Sequence, residues 1–478
     1  MLVGGTRFPM RKTLRIVLAA GLTIILVVLY LYGANLQSRL VNTNLEKVDQ
    51  SAYMRVAIGY YDAHYNWISP RVRMPLYPLM LTLLYRKGMP MEGFFARSKE
   101  FTILLSLGLL AGLYPFFRRY LALHSAANLL LITAFSVFAF RASYIQGDLP
   151  NYFLSFVGFL LLSRLLVRPS WQVGIVCGVV LGLAHLAKGS ILLGLALFLG
   201  CVAIGGAITL WAALKGRPQG LSDWRSYRWL VLSAALCVIL FVATISPYII
   251  NSKRAFGSYL YNVNTNYYMW IDSYEEAQSG TIAHGDRKEG GRIFLQPGEQ
   301  RRPFQENLPD MPPDQIPSMQ KYLREHTLVQ MLDREWRGLL LMIHKHTDES
   351  YGYVKFVILY LLMALGACIL TWRSTLATVR KYPAVLVLWA GWSLAYFALC
   401  AWRAPVGNHR RYLLTQFVPF VFTAAYIIQR QGAELRPLLM RGRRLRVVSL
   451  VNWLLTALML VDIYWNLAYR LPTVWGGN

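Results

Sequence analysis

The chain has 478 residues, 56% of them hydrophobic, and its apolar residues come in long blocks. A soluble fold of this length would scatter them at helix or strand period, so the blocks exclude that class and indicate an integral membrane protein. The net charge of +26 would suit a nucleic-acid binder, but most basic residues sit in short loops between the blocks, and no nucleic-acid partner is expected.

In chain order the apolar blocks predict about eleven transmembrane helices: 13–33, 101–117, 125–141, 149–167, 171–187, 189–212, 229–250, 353–372, 383–401, 412–429 and 447–466. The expected fold class is therefore an all-α, polytopic membrane protein. The first block is long for a signal peptide and lacks a cleavage site, so it reads as an anchor. With the N-terminus inside, the inside segments carry 21 basic residues against two acids, Asp223 and Glu434. That satisfies the positive-inside rule at every inside loop. It places the N-terminus in the cytoplasm of a bacterial-type inner or plasma membrane, and Asp49, Asp148 and Asp272 on the far side. Cys177, Cys201, Cys237, Cys368 and Cys400 all fall in apolar blocks without metal-ligand spacing and read as small core residues.

Three regions follow: residues 1–250 with a long first external loop (34–100), a large external segment (251–352), and C-terminal spans (353–478). The second segment contains a Gly-, Pro- and charge-rich stretch, Gly280 to Pro317, expected to be loop-like. After it, Met319 to His346 carries Tyr322, Leu323, Leu328, Met331, Leu332, Trp336, Leu339 and Leu340 at helical spacing. This predicts one amphipathic helix along the membrane.

The first loop holds the clearest chemistry. Leu45 to Ile58 reads as a short helix with Asp49, Tyr53 and Ala57 on one face. A carboxylate at a membrane surface can act as general base; a solvated loop acid or a helix cap is the plain alternative. Arg71 and Arg73 precede Met74-Pro75-Leu76-Tyr77-Pro78, whose prolines fix the backbone. Arginines held there suit phosphate oxygens, or snorkel to headgroups. Asp148 precedes Leu149-Pro150, which suits a helix N-cap, and lies on the face expected for Asp49. Lys188 stands between two apolar blocks with no acid near it in sequence, which calls for an anion or water. His185, one turn earlier, could join it or simply pack. Arg403, Arg410 and Arg411, with His409, break the positive-inside rule in one outside loop, which suggests an anionic ligand or contacts to lipid headgroups. Asn251 to Asp272, with Tyr268 and Trp270, has the Tyr, Trp and Asn content of a sugar-binding surface or of an interfacial aromatic belt.

Taken in order, these segments resemble the GT-C membrane glycosyltransferases. The likeness is to the branch using polyprenyl-phosphate sugars, with the protein O-mannosyltransferases and the lipid A aminoarabinose transferase (glycosyltransferase families 39 and 83). Asp49-Gln50-Ser51-Ala52-Tyr53 followed by Ala57 resembles the first-loop Asp-Glu-x-x-Tyr-x-x-x-Ala motif, with Gln50 in the second acidic place. Arg73-Met74-Pro75-Leu76-Tyr77 resembles Lys-Pro-Pro-Leu-Tyr, and Ala187-Lys188-Gly189 resembles Thr-Lys-Gly. Ile245-Ser246-Pro247-Tyr248 through Gly257 is similar to Pro-Trp-x-x-Arg-Asn-x-x-x-x-Gly. His409-Arg410-Arg411-Tyr412 through Pro419 is similar to the late Arg-Tyr-x-x-x-x-x-Pro motif.

The resemblance implies transfer of a sugar from a polyprenyl-phosphate donor to a hydroxyl of a glycan, lipid or protein acceptor, with inversion, on the non-cytoplasmic face. Asp49 is then the general base and Asp148 supports it. Arg73, Lys188 and Arg403, Arg410 or Arg411 hold the donor phosphate, and Tyr53, Tyr77, Tyr268 and Trp270 contact substrate. No cofactor is required, no residue is assigned to a metal, and no nucleotide motif is present. The rival readings are a transporter or flippase for a lipid-linked anion, and a non-catalytic envelope-assembly protein.

Overall fold

The computed structural model describes residues 10–47, 49–66, 68, 72–215, 221–266, 268–273, 288–289, 292–293, 317–346, 352–407, 410–435, 438–440 and 443–475. Apart from two short antiparallel ladders, Lys288–Glu289 with Arg292–Ile293 and Leu438–Met440 with Arg443–Leu445, the described elements are helical. Gly280 to Pro317 otherwise lies outside the described residues, save Pro317.

Nine helical stretches among the described residues are long and apolar enough to cross a membrane. They run along α1 (Met10–Leu36), α4 (Met91–Tyr120), α5 (Leu123–Thr133) continued by α6 (Ala139–Arg141), α7 (Asp148–Val167) and α9 (Leu192–Leu214), then α10 (Leu221–Phe256). The C-terminal three are α16 (Pro383–Arg403), α17 (Arg410–Gly432) and α18 (Val447–Trp465). The protein is thus an integral, multi-pass membrane protein, but the expected count of eleven spans is not established. The two remaining segments are helical and differ in kind. The helix α8 (Trp171–Ala187) has 17 residues, short of the ~20 that span a hydrocarbon core. The helix α14 (Val354–Leu370) turns by 99° into α15 (Trp372–Lys381), so it is a broken span or a re-entrant piece.

The remaining helices are short and lie between the apolar ones: α2 (Gln50–Asp62), α3 (Leu76–Thr82), α11 (Val263–Asn266), α12 (Met319–Glu325) and α13 (Leu328–His346). Two expectations are corrected here. The first-loop helix starts at Gln50 rather than Leu45, with Asp49 at its head. The single helix expected over Met319–His346 is two helices. Ser318 caps α12 through Lys321 N–H (3.2 Å), and His326 leaves the helix in an extended conformation. Thr327 restarts it, its Oγ1 accepting from Gln330 N–H at 3.4 Å.

The core is aromatic where three apolar helices meet: Phe117 of α4, Phe156 of α7 and Phe422 of α17, with ring centroids 5.1–6.0 Å apart. The tightest pairing is α8 on α10. Gly174, Gly178 and Gly182 lie one turn apart on α8, and a methyl group on any of them would collide with Ser233, Cys237 or Thr244 of α10. Small residues at this spacing let helix backbones close up where no hydrophobic effect drives association. Because α8 ends at Lys188, this contact fixes the height and rotation of that lysine.

Helix ends alternate between two ends of the bundle. At one end Lys99 donates to Ser38 O and Asn42 O (2.8 and 3.1 Å), and Gln37 donates to Leu471 O and Val474 O (2.7 and 2.8 Å). At the other, Gln429 Nε2 donates to Tyr120 O (3.2 Å) and Thr371 Oγ1 donates to Gln431 Oε1 (2.9 Å). The acidic and aromatic loops singled out above gather at the first end.

Candidate functional site

Segments distant in sequence enclose a cavity of about 390 Å³ at that end, within the size range of small-molecule sites. Its wall includes Tyr53 of α2, Val72 to Met74 before α3, and His185 and Ala187 to Ser190 around the end of α8. It also takes Tyr248 of α10, Asn262, Asn264 and Thr265 around α11, Met269, Tyr396, Leu399, Cys400 and Arg403 on α16, and Tyr412 of α17. Arg73, Lys188 and Arg403, chosen from sequence as anion holders, all line it.

Each cation is positioned differently. Arg73 sits between Asp49, whose carboxylate accepts a charge-assisted hydrogen bond from its Nη2, and the face of Tyr53, 5.7 Å from the guanidinium. Its loop is braced from the far side of the chain, since Asn262 and Asn264 both donate to Val72 O at 3.3 Å. Asn264 also accepts from Arg403 Nη2 at 2.8 Å, so one asparagine ties two of the three cations into one frame. Lys188 caps α8 in an extended conformation and lies 4.1 Å from the centroid of Tyr412, which faces Arg403 at 5.2 Å. Tyr412 thus stands between two cations and holds both by its ring face.

The acids stand behind the cations. Asp148 opens α7; its carboxylate pairs with Lys188 and lies 3.8 Å from Arg141 Nη1. The Asp148 side chain is buried, at 5% exposure, while that of Lys188 is 17% exposed. Lys188 therefore has an acid partner that its sequence neighbourhood does not reveal, and Asp148 acts on the cavity by positioning Lys188. Asp49 likewise is not among the residues lining the cavity; it stands at the rim behind Arg73, with about a fifth of its side chain exposed.

The four aromatic residues expected to touch substrate divide. Tyr53 lines the cavity. Tyr77 does not: it is fully buried, 2.5 Å from Thr102 Oγ1, and packed edge-on to Tyr53. Burial pushes its hydroxyl well above the ordinary tyrosine range, aided by Tyr53 and Asp148 and opposed by the Thr102 hydrogen bond, so it is a packing residue. Tyr268 packs on Ile271 and Val406, and Trp270 donates to Thr265 O at 3.0 Å. Both build the wall from outside, and Asn262, Asn264, Thr265 and Met269 of the same segment face the cavity. Arg410 and Arg411 open α17, but their side chains lie outside the described residues, as does Arg71.

Gln50, where the chain departs from the Asp-Glu motif, is fully buried. Its amide exchanges hydrogen bonds with Asn42 (2.8 and 2.9 Å) and accepts from Ile145 N–H at 3.2 Å. Asn42 in turn donates to Ser143 O at 2.8 Å. The amide pair clamps α2 to the turn before Asp148, a role a carboxylate cannot fill because it has no donor for Asn42 Oδ1.

Sequence reasoning passed over the outer brace. Asp272 accepts from Tyr322 (2.8 Å) and Arg334 (3.2 Å) and meets His326 at 2.9 Å. Arg334 is 3% exposed, lies 4.5 Å over Trp402 and donates to Trp402 O, while Trp402 Nε1 donates to Met269 O at 2.7 Å. This network pins the cavity-lining segment to α13 and α16. Isolated polar residues in an amphipathic stretch give no sequence signal for it.

Four buried nitrogens on the cavity residues make no hydrogen bond: Arg73 Nε, Arg403 Nε, and Nδ1 and Nε2 of His185. Buried donors are paired in the great majority of cases. A cavity carrying three cations and unused donors is chemically suited to an anion with further polar groups. Among the described residues no cluster of His, Cys, Asp or Glu could hold a metal ion. Comparison with protein-family models, with curated proteins and with solved structures gives no match.

Proposed function

We propose that this protein is a membrane glycosyltransferase of the GT-C type, moving a sugar from a polyprenyl-phosphate donor to an acceptor hydroxyl. The observation that carries the reading is the convergence of Arg73, Lys188 and Arg403, from three separate segments, on one cavity with a carboxylate paired to each of the first two. The donor phosphate takes the cavity, where the cations stabilise the charge that grows on it as the bond to the sugar breaks. The acceptor approaches from the rim, where Asp49 takes its proton and the freed oxygen attacks the anomeric carbon from the opposite side, with inversion. Arg73 links the two halves, because it touches both the base and the cavity. A donor phosphate drawing Arg73 inward loosens its hold on Asp49 as the base is needed.

The test is turnover. Protein reconstituted with a polyprenyl-phosphate hexose and a candidate envelope acceptor is expected to release polyprenyl phosphate, and Asp49→Asn to release it roughly 10²- to 10⁴-fold more slowly, the range of a removed general base. Unchanged turnover in Asp49→Asn sinks the base assignment. No turnover and no donor binding by the unaltered protein sinks the transferase reading and favours an assembly role.

A further inference from the structure

His185 is the least explained group in the cavity wall. It lies one turn before the end of α8, is 4% exposed, and lines the cavity beside Lys188. Its ring packs on Phe241 (5.7 Å) and Tyr248 (6.2 Å). No hydrogen bond of ordinary geometry reaches either ring nitrogen; the Gly189 backbone is a weak partner for one of them. The Tyr248 hydroxyl donates to Tyr261 O at 3.4 Å. Lys188 and Ser190 are the polar side chains that follow it in the lining; Leu192 and Leu193 come next on α9, and Leu260 also lines the cavity.

A buried imidazole with at most one weak partner is costly to the folded chain, since it gave up water without fully replacing it. A ring used only for packing would be better served by a phenyl group. The α8–α10 glycine contact fixes the backbone that carries the ring.

We propose that His185 is a specificity-determining residue that hydrogen-bonds a neutral hydroxyl of the sugar on the lipid-phosphate donor. The inference rests on the transferase reading above. Three cations already answer a phosphate, whereas an imidazole supplies one donor and one acceptor, the pair that a hydroxyl matches. Discrimination by such a contact is strong because a ligand lacking the hydroxyl leaves the buried ring unpaired again.

The experiment titrates full-length protein in detergent with two probes, a short-chain polyprenyl phosphate and the same lipid phosphate carrying one hexose. His185→Phe is expected to weaken binding of the sugar-bearing lipid roughly five- to tenfold, the worth of one hydrogen bond, and to leave the bare lipid phosphate unchanged. His185→Gln, which keeps a donor and an acceptor, is expected to retain most of the affinity. An equal loss for both lipids, or no loss for either, overturns the proposal while leaving the transferase reading intact. Failure of the unaltered protein to bind either lipid overturns both.

Discussion

The guanidinium of Arg73 binds the carboxylate of Asp49, twenty-four residues earlier in the chain, at the rim of the cavity that Arg73 also lines. The two residues were selected for opposite tasks, one to take a proton and one to hold a phosphate. Their pairing makes the tasks interdependent. Asp49→Asn frees Arg73 for the donor, so its affinity for polyprenyl phosphate is expected to rise two- to fivefold, about 0.5–1 kcal/mol, while turnover falls. Equilibrium binding beside single-turnover rates checks this; a variant that loses both together has lost structure instead.

Lys188 and Asp148 form a pair of the buried kind, where breaking costs more than removing. Lys188→Met is expected to lower stability by about 3 kcal/mol, because it removes the lysine paired with the buried Asp148 carboxylate. The double variant Lys188→Met, Asp148→Asn is expected to recover most of that loss while donor binding stays weak. Thermal melts in detergent separate the two effects, and additive losses in the double variant would refute the pairing argument.

Gln50→Glu restores the Asp-Glu motif on paper. It also replaces an amide that donates to Asn42 by a group that cannot, at a fully buried position. The expected result is a loss of about 2–4 kcal/mol with no gain in rate or metal response. A stable, more active variant would show that the amide clamp is dispensable.

On α13, burial raises the Glu335 carboxyl above its ordinary range, with Arg334 pulling it partly back. The folded state then holds this proton more tightly than the unfolded chain does. The sign follows: stability contributed at this site falls as pH rises from the ordinary carboxylate range through the raised value, and is level on either side. Glu335→Gln is expected to raise the melting temperature at neutral pH and to leave it unchanged in acid. Identical shifts at pH 4 and pH 7 would exclude titration as the cause.

The sequence pattern made the membrane class and nearly every helix legible, because apolar blocks report burial in lipid directly. It also pointed to Arg73, ahead of two prolines that fix its backbone, and to Lys188 and Arg403, cations at span ends that are anomalies visible without coordinates. What it could not supply were partners across the fold. Asp148 looks like a helix cap by sequence and is a lysine's counter-ion in space; Tyr77 looks like a substrate contact and is core. The amphipathic stretch over Met319–His346 looked continuous because periodicity persists across the break that Thr327 introduces. The glycine ladder Gly174, Gly178 and Gly182 was open to reading from spacing alone. It explains why the chain between His185 and Lys188 is held rigidly enough to shape a cavity.

The brevity of α8 has a mechanical consequence. Seventeen residues at a 1.5 Å rise reach about 25 Å, against the ~30 Å of an average hydrocarbon slab. Locked to α10 by its glycines, α8 cannot slide independently to make up the deficit, so its shortfall is a fixed property of the pair.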